Sequence, residues 1–269
     1  MKIFSLISNI AVLLIIIAFL YKCNKQNLQE HTITSFSLSY GAIIRGDTTK
    51  QTIALVFTGD QYADGAEHIR QTLARYNIKA SFFLTGNFYR NQKFSQIIHN
   101  LRSNGHYLGG HSDKHLLYCP WHKRDSLLIT KSEFTVDLDN NYQEMSKFGI
   151  NKNEAVYFLP PFEWYNDSIA AWTKDVGSIL INYTPGTKSH ADYTTPDMGE
   201  RYLASKIIFD SIIKFETMSP HGLNGFILLS HIGTHPSRMD KFYLYLEQLI
   251  QYLLTKGYRF VRIDELLQV

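Results

Sequence analysis

Apolar and polar positions along this chain switch repeatedly between a strand pattern and a helix pattern. TIALVF (52–57) is an unbroken apolar, β-branched run and predicts a buried strand. GAEHIRQTLARYN (65–77) places Ile69, Leu73 and Tyr76 at helical spacing. The pair then recurs. KASFFLTG (79–86) predicts a strand, and FSQIIHNLRSNG (94–105) a helix with Gly105 placed to end it. HYLGG (106–110) predicts a short strand, 125–148 a long helix, and AVYFLPP (155–161) a strand broken by proline. SIAAWTKDVG (168–177), SILINYT (178–184), residues 199–216 and GFILLSH (225–231) read as helix, strand, helix and strand. DKFYLYLEQLIQYLLTKG (240–257) is an amphipathic helix ahead of a last strand, YRFVRI (258–263). Alternation of this kind predicts an α/β fold, with about seven parallel strands closed or nearly closed into a barrel.

Chemistry in such a barrel sits where strands end and loops begin. Five strand ends carry unusual polar residues: FTGD (57–60), HSDKH (111–115), PPFEW (160–164), NYTPGTKSHAD (182–192) and SHIGTH (230–235). In HSDKH, His111 and His115 lie four apart, a spacing that on a helix would let both imidazoles hold one ion. Adding Asp60 gives two imidazoles and a carboxylate, a set that leaves positions open for water and substrate, as catalytic metal sites do. The alternative is that His111 caps a loop and His115 merely packs.

The first residues stand apart from this pattern. An apolar run from Ile3 to Leu20 has no charge inside it and is closed by Lys22 and Lys25. At helical rise it reaches about 27 Å, enough to insert into a bilayer or nearly span it. Residues 1–23 therefore read as a signal or membrane anchor, 24–45 as a polar linker, and 46–269 as the folded domain. LYKC (20–23) resembles a bacterial lipobox, with Lys22 where that motif has a small residue. The domain is expected to be exported and held at the bacterial envelope, as a lipoprotein or by an uncleaved anchor. With Cys23 lipidated or removed, Cys119 has no partner, so no disulfide framework supports the fold.

Composition changes the picture only slightly. Hydrophobic residues at 45% and charged residues at 19% suit a globular domain. A net charge of +3 without a basic stripe gives no reason to expect nucleic acid. Aromatic content of 14% mostly serves a core, and also suits a groove that stacks on sugar rings.

Taken together, the strand-end segments resemble the polysaccharide deacetylases, the NodB-homology enzymes of carbohydrate esterase family four. HSDKH fits the H-[ST]-x-x-H motif; VFTGD (56–60) stands where the family has TFDDG; LPPF (159–162) stands for R-x-P-[YF]; LSH (229–231) for the late L-x-H; and KASFFLTGNF (79–88) for the second strand. The resemblance covers about residues 50–265. It implies a deformed (β/α) barrel and hydrolysis of N- or O-acetyl groups from a glycan. It implies a divalent ion, commonly zinc, on Asp60, His111 and His115, with His231 protonating the leaving group.

Two departures matter. The family's general base and one ligand occupy the positions of Thr58 and Gly59 here, so an acid arrives only at Asp60. The Arg that pairs with that base is Leu159. The two losses fit each other, because an Arg without its partner would be costly to bury. For the missing base the candidates are Glu163, then Asp64, then Asp113, with Asp60 serving as ligand and base in turn as a further option. Asp192 is a candidate to orient His231, and Pro161, Phe162, Trp164 and Tyr165 are candidates to contact substrate. His235 reads as a rim residue, Arg238 and Asp240 as loop organisers, and His99, His106 and His122 as structural or surface residues. The rivals are a non-catalytic glycan-binding domain on the same fold, or a hydrolase of another ester or of a glycosidic bond.

Overall fold

A computed structural model of the chain describes residues 36–268, so the expected anchor and the lipobox-like Cys23 lie outside the described residues. Nine strands form one sheet: β1 (Ser37–Ser39), β2 (Ala42–Arg45), β3 (Thr52–Gly59), β4 (Ser81–Leu84), β5 (Tyr107–Gly110), β6 (Tyr157–Phe158), β7 (Ile179–Leu180), β8 (Phe226–His231) and β9 (Arg259–Phe260). Their order is β1-β2-β8-β3-β4-β5-β6-β7, parallel from β8 to β7 and antiparallel at β1 and β2. A bridge between Ile43 and Ile181, with the Asn182 amide donating to the Ile43 carbonyl at 2.9 Å, curls the sheet back on itself. This is the deformed barrel that the alternation predicts.

Three boundaries differ from the sequence reading. Residues 37–45, read as the end of a linker, are β1 and β2, and β2 takes a place in the curled sheet. The last strand, β9, pairs only with the beginning of β3 at Thr52 and Ile53. The long helix expected from 125 begins at Lys131, where Thr130 and Glu133 form a reciprocal capping box, and residues before it form an irregular loop. The other main helices are where the 3.6-residue period puts them, at Ala66–Arg75, Ser95–Ser103, Asp167–Asp175, Ser205–Met218 and Leu246–Thr255. Among the described residues no helix is long and apolar enough to cross a membrane.

Strand alternation divides the core in two. Ile53, Leu55 and Phe57 face outward, into the larger cluster shared with the helices. Ala54 and Val56 face inward, with Phe83, Tyr107, Tyr157, Leu159, Ile227 and Leu229. The inner face is the one that leads to the site. Continuing its period of two reaches Thr58 and Asp60 from β3, His111 from β5 and His231 from β8. Gly109, one step below His111, must be small: a Cβ there would stand 2.4 Å from the Phe83 ring.

Candidate active site

The inner-face residues open into a cavity of about 700 Å³ at the strand C-terminal ends. Its wall includes Thr58, Asp60, His111, His115, Glu163 and His231. Residues from four separate motifs thus meet in one place.

The HSDKH segment is not helical. It is a turn, in which Ser112 and His115 take left-handed backbone conformations (φ 72° and 55°). The turn nevertheless brings the two imidazoles to a 5.1 Å ring separation. The helix Lys131–Ser146 holds it: the Asn141 carboxamide accepts from the His111 amide at 2.9 Å, and the Asp137 carboxylate accepts from the Asp113 and Lys114 amides, both at 3.1 Å. His111 Nδ1 donates to the Leu159 carbonyl at 2.7 Å, which leaves Nε2 as the ring's free lone pair. Leu159 stands where the resembling family has Arg, and its buried backbone thus fixes a histidine tautomer.

Burial, reinforced by the neighbouring His115, pushes the His111 pKa well below the usual imidazole value. Burial likewise pushes His115 down to about 4, although the Asp60 charge opposes it. Both rings are therefore neutral near pH 7, which is the form that binds a metal. Asp60 is close enough for its charge to act on His115, but its carboxylate accepts from Thr85 Oγ1 at 2.7 Å and Asn87 Nδ2 at 3.2 Å. Among the described residues no three His, Cys, Asp or Glu side chains converge as a complete ligand set. The donor chemistry of the two imidazoles fits a divalent ion; Thr85 and Asn87 both donate to the Oδ1 oxygen of Asp60, which leaves Oδ2 as its second donor atom. Gly59 cannot supply the carboxylate instead, since a Cβ there would point outward to within 2.7 Å of Ile232 and 2.9 Å of Leu84.

Glu163 follows β6 in a short 3-10 turn, Pro161–Glu163. Phe162 and Glu163 are consecutive non-glycine residues with φ near +60° (58° and 54°), a conformation that costs about 1–3 kcal/mol each and persists where surrounding structure enforces it. The strained turn aims Glu163 at the cavity, and among the described residues its carboxyl makes no hydrogen bond with protein. Burial raises its pKa to about 7; the nearby His231 opposes this rise and Asp192 adds to it. Asp192, from the 3-10 turn Ser189–Tyr193, grips His231 at the end of β8 twice, accepting from its backbone amide at 2.9 Å and from Nδ1 at 2.6 Å. Burial alone would strip the His231 proton, but the charge and hydrogen bond of Asp192, with help from Glu163, outweigh it and raise the pKa.

Several expected contacts fail. Asp64 is away from the cavity wall: it pairs with Lys241 at 2.8 Å and accepts from the Thr234 amide at 2.8 Å, fastening the loop after His231. Asp113 is buried beneath the turn and paired with Arg90. Tyr165 is a core residue whose hydroxyl donates to the Ser39 carbonyl at 3.0 Å, and Pro161 is buried beside it in sequence. Cys119 is buried and free, off the cavity wall. Phe162 and Trp164 do line the cavity, and His235 lies at its exposed rim. The sequence gives no signal for Trp121, which also lines the cavity. Arg238, expected to organise its loop, is fully buried, and its Nη2 donates to the Leu203 carbonyl at 2.9 Å, which ties the loop after His231 to the segment that follows Asp192.

Asp192→Asn tests the grip. Loss of the charge leaves burial as the dominant influence on His231, so its pKa should fall. An activity that needs protonated His231 would then lose its alkaline limb at a lower pH than the wild type does, as a pH–rate profile of the variant would show.

Residues 45–179 match the family model described as polysaccharide deacetylase. The chain is 24% identical over 236 residues to the peptidoglycan-N-acetylmuramic acid deacetylase PdaA of Bacillus subtilis, covering 87% of this chain and 78% of that one. Among solved structures it superposes on a family-four pseudoenzyme from Bacillus anthracis (TM-score 0.64, 19% identity, 86% of this chain and 70% of that one). It superposes equally on the chitin deacetylase of Colletotrichum lindemuthianum (TM-score 0.64, 19% identity, 86% and 93%). The match covers half of the sequence, and its segment contains the β3, β5 and β6 strand ends that supply the histidine pair and Glu163; the chain belongs to the polysaccharide deacetylase family.

Proposed function

We propose that this chain is a divalent-metal-dependent deacetylase of an acetylated glycan, exported and tethered at the bacterial envelope by its apolar N-terminal segment. His111 and His115, with the Oδ2 oxygen of Asp60, are the residues to hold the ion. A bound ion there supplies Lewis-acid polarisation of the acetyl carbonyl and makes a nearby water more acidic. Glu163 accepts the proton of the attacking water, at a pKa near that of neutral solution. Oxygen adds to the acyl carbon, the bond to the sugar nitrogen or oxygen breaks, and His231, oriented by Asp192, gives its proton to the leaving atom. The base and acid stand on different strand ends and share one cavity, as such a proton relay requires.

The observation that carries this reading is Glu163: a strained turn puts an otherwise unpaired carboxyl, with a pKa raised to about 7, in the cavity of a family whose usual base position is Thr58. One observation favours a second reading, a glycan-binding domain without turnover. Thr58 is buried, its hydroxyl has no hydrogen-bond partner, and it cannot act as a base near pH 7. Purified protein assayed for acetate release from acetylated chitooligosaccharides and acetylated xylan, with elemental analysis of the same preparation, separates the two. Metal with acetate release supports the enzyme. Metal without release from either substrate, in protein that still binds them, moves the assignment to the binding domain.

A further inference from the structure

Residues 85–90 follow β4, lie off the cavity wall, and touch both loops that supply the histidine pair and Asp60. On one side they hold the end of β3. The Thr85 amide donates to the Gly59 carbonyl at 3.0 Å, and Thr85 Oγ1 and Asn87 Nδ2 donate to Asp60 Oδ1 at 2.7 Å and 3.2 Å. The same Thr85 hydroxyl accepts from the Phe88 amide at 3.1 Å, which caps the short helix Gly86–Arg90 and fixes the direction of the hydroxyl. On the other side the segment holds the histidine turn: the Gly86 amide donates to the Ser112 carbonyl at 3.0 Å and the Asn87 amide to the Asp113 carbonyl at 3.1 Å. Turn and helix approach so closely that a Cβ on Gly86 would stand 1.8 Å from Asp113 Oδ1, so only glycine fits.

Arg90 closes this arrangement. Its Nη1 donates to Asp113 Oδ1, and its Nη2 donates to Asn87 Oδ1 at 2.9 Å. Asp113 is 3% exposed, so its carboxylate depends on this partner. The two nitrogens of one planar fork thus grip two side chains with different attachments. Asp113 belongs to the turn that carries His111 and His115, and Asn87 is bonded to Asp60. A lysine ammonium could neutralise Asp113 but has no such fork.

We propose that Arg90 is a positioning residue for the ion's ligands: through Asp113 and Asn87 it sets the spacing between the Asp60 carboxylate and the two imidazoles. The proposal rests on the reading of Asp60, His111 and His115 as the residues that hold the ion. The carboxylate follows β3 and the imidazoles follow β5, and β4 lies between those strands in the sheet. The two strand ends therefore do not pair with each other, and the segment after β4 joins them. Because Thr85 and Asn87 both take Oδ1 of Asp60, the joint also sets where Oδ2 points. Hydrogen-bond partners behind a ligand change metal affinity by about 10- to 100-fold, because they hold the donor in place before the ion arrives. Asp113 gains a task in the same way: it is the handle by which Arg90 holds the histidine turn.

The probe is cobalt(II) alone, titrated into the full chain in competition with a chelator, with its visible absorption read as the signature of coordination geometry. Arg90→Lys keeps a positive charge for Asp113 and loses the fork. Asn87→Ala, at an exposed position, leaves the Arg90–Asp113 pair intact and cuts the link to Asp60. Each variant should bind cobalt about tenfold or more weakly, with an altered absorption spectrum, while the metal-free proteins keep wild-type circular dichroism and melting temperature. The double variant should bind within about twofold of the weaker single variant, because both changes cut one bridge. A role confined to neutralising a buried acid predicts wild-type cobalt affinity and spectrum in both single variants, and that result overturns the proposal. Losses that multiply in the double variant overturn it as well. A wild-type chain that takes up no cobalt defeats the reading of the ion's ligands, and this proposal with it, whereas unchanged binding in the variants defeats the proposal alone.

Discussion

Glu163→Gln is expected to abolish acetate release and, above pH 7, to make the protein more stable. The two effects have one cause. The carboxyl is half-buried in the cavity wall with no hydrogen-bond partner among the described residues, so loss of solvent favours its neutral form and raises its pKa from 4.5 to about 7. The proton is held more tightly in the folded state than in the unfolded one. Stability from this group is therefore complete below pH 4.5 and is lost as pH rises through 7. Across that window the loss is about 3 kcal/mol, at ~1.4 kcal/mol per tenfold change in proton affinity. Glutamine mimics the neutral acid in shape and never ionises, so metal-free variant should melt at a higher temperature than wild type at pH 8 and close to it at pH 4. Removal of a general base lowers the rate by about 10²- to 10⁴-fold. A variant that keeps full activity, or one that melts lower than wild type at pH 8, would defeat the assignment of Glu163 as the base. Loss of activity together with gain of stability is the mark of a residue kept for chemistry at a cost to the fold.

Substituting His111 with alanine should remove the bound ion. The Leu159 carbonyl fixes the tautomer, Asn141 fixes the backbone, and burial keeps the ring neutral, so three separate features prepare Nε2 as a donor. Deleting even an outer partner of a ligand costs about 10- to 100-fold in metal affinity, and loss of the ligand itself should cost ~100-fold or more. Elemental analysis should find about one divalent ion per wild-type chain and essentially none in the variant. The thermal shift offers a reading independent of catalysis: zinc at ~100 times its dissociation constant stabilises a folded site by about 2.7 kcal/mol, an increment the variant should lack. Equal metal content in the two proteins would show that the imidazole pair is not a metal site and would leave His111 as a capped turn residue.

How legible the site was depends on which physical rule placed each residue. Seven strands are legible in order, because short unbroken apolar, β-branched or aromatic runs bounded by glycine, proline and polar residues are too short for helices and too apolar for loops. The histidine pair was found by spacing, although the reasoning was only half right. It assumed a helix, and the chain uses a turn closed by two left-handed residues, Ser112 and His115. Asp192 was found as the partner of His231, and the structure gives it two hydrogen bonds there. Glu163 and Asp64 are both loop acids in the sequence, and Glu163 ranks first as a base only because it follows the strand end nearest the expected mouth. The turn at Phe162 and Glu163 directs one into the cavity, while Lys241 and the Thr234 amide hold the other outside. Nothing local in Trp121 distinguishes it from a core aromatic, because its exposure depends on a loop packed against residues some 40 positions away.

What the sequence determined by itself is therefore the alternation of strands and helices, the strand ends at which chemistry collects, and the residue types available there. Those follow from local periodicity and from side chains that have no other reason to sit beside an apolar strand. The tertiary structure decided which face of each strand reaches the mouth, and so why position 59 is glycine while Thr58 and Asp60 turn inward. It also decided that β2, drawn from a segment that reads as linker, helps the sheet curl, because edge pairing depends on backbone groups and leaves little trace in side-chain pattern. The carboxyl of Glu163 has an ordinary pKa in solvent and one raised to about 7 once burial removes its water, a difference that only the packed barrel creates.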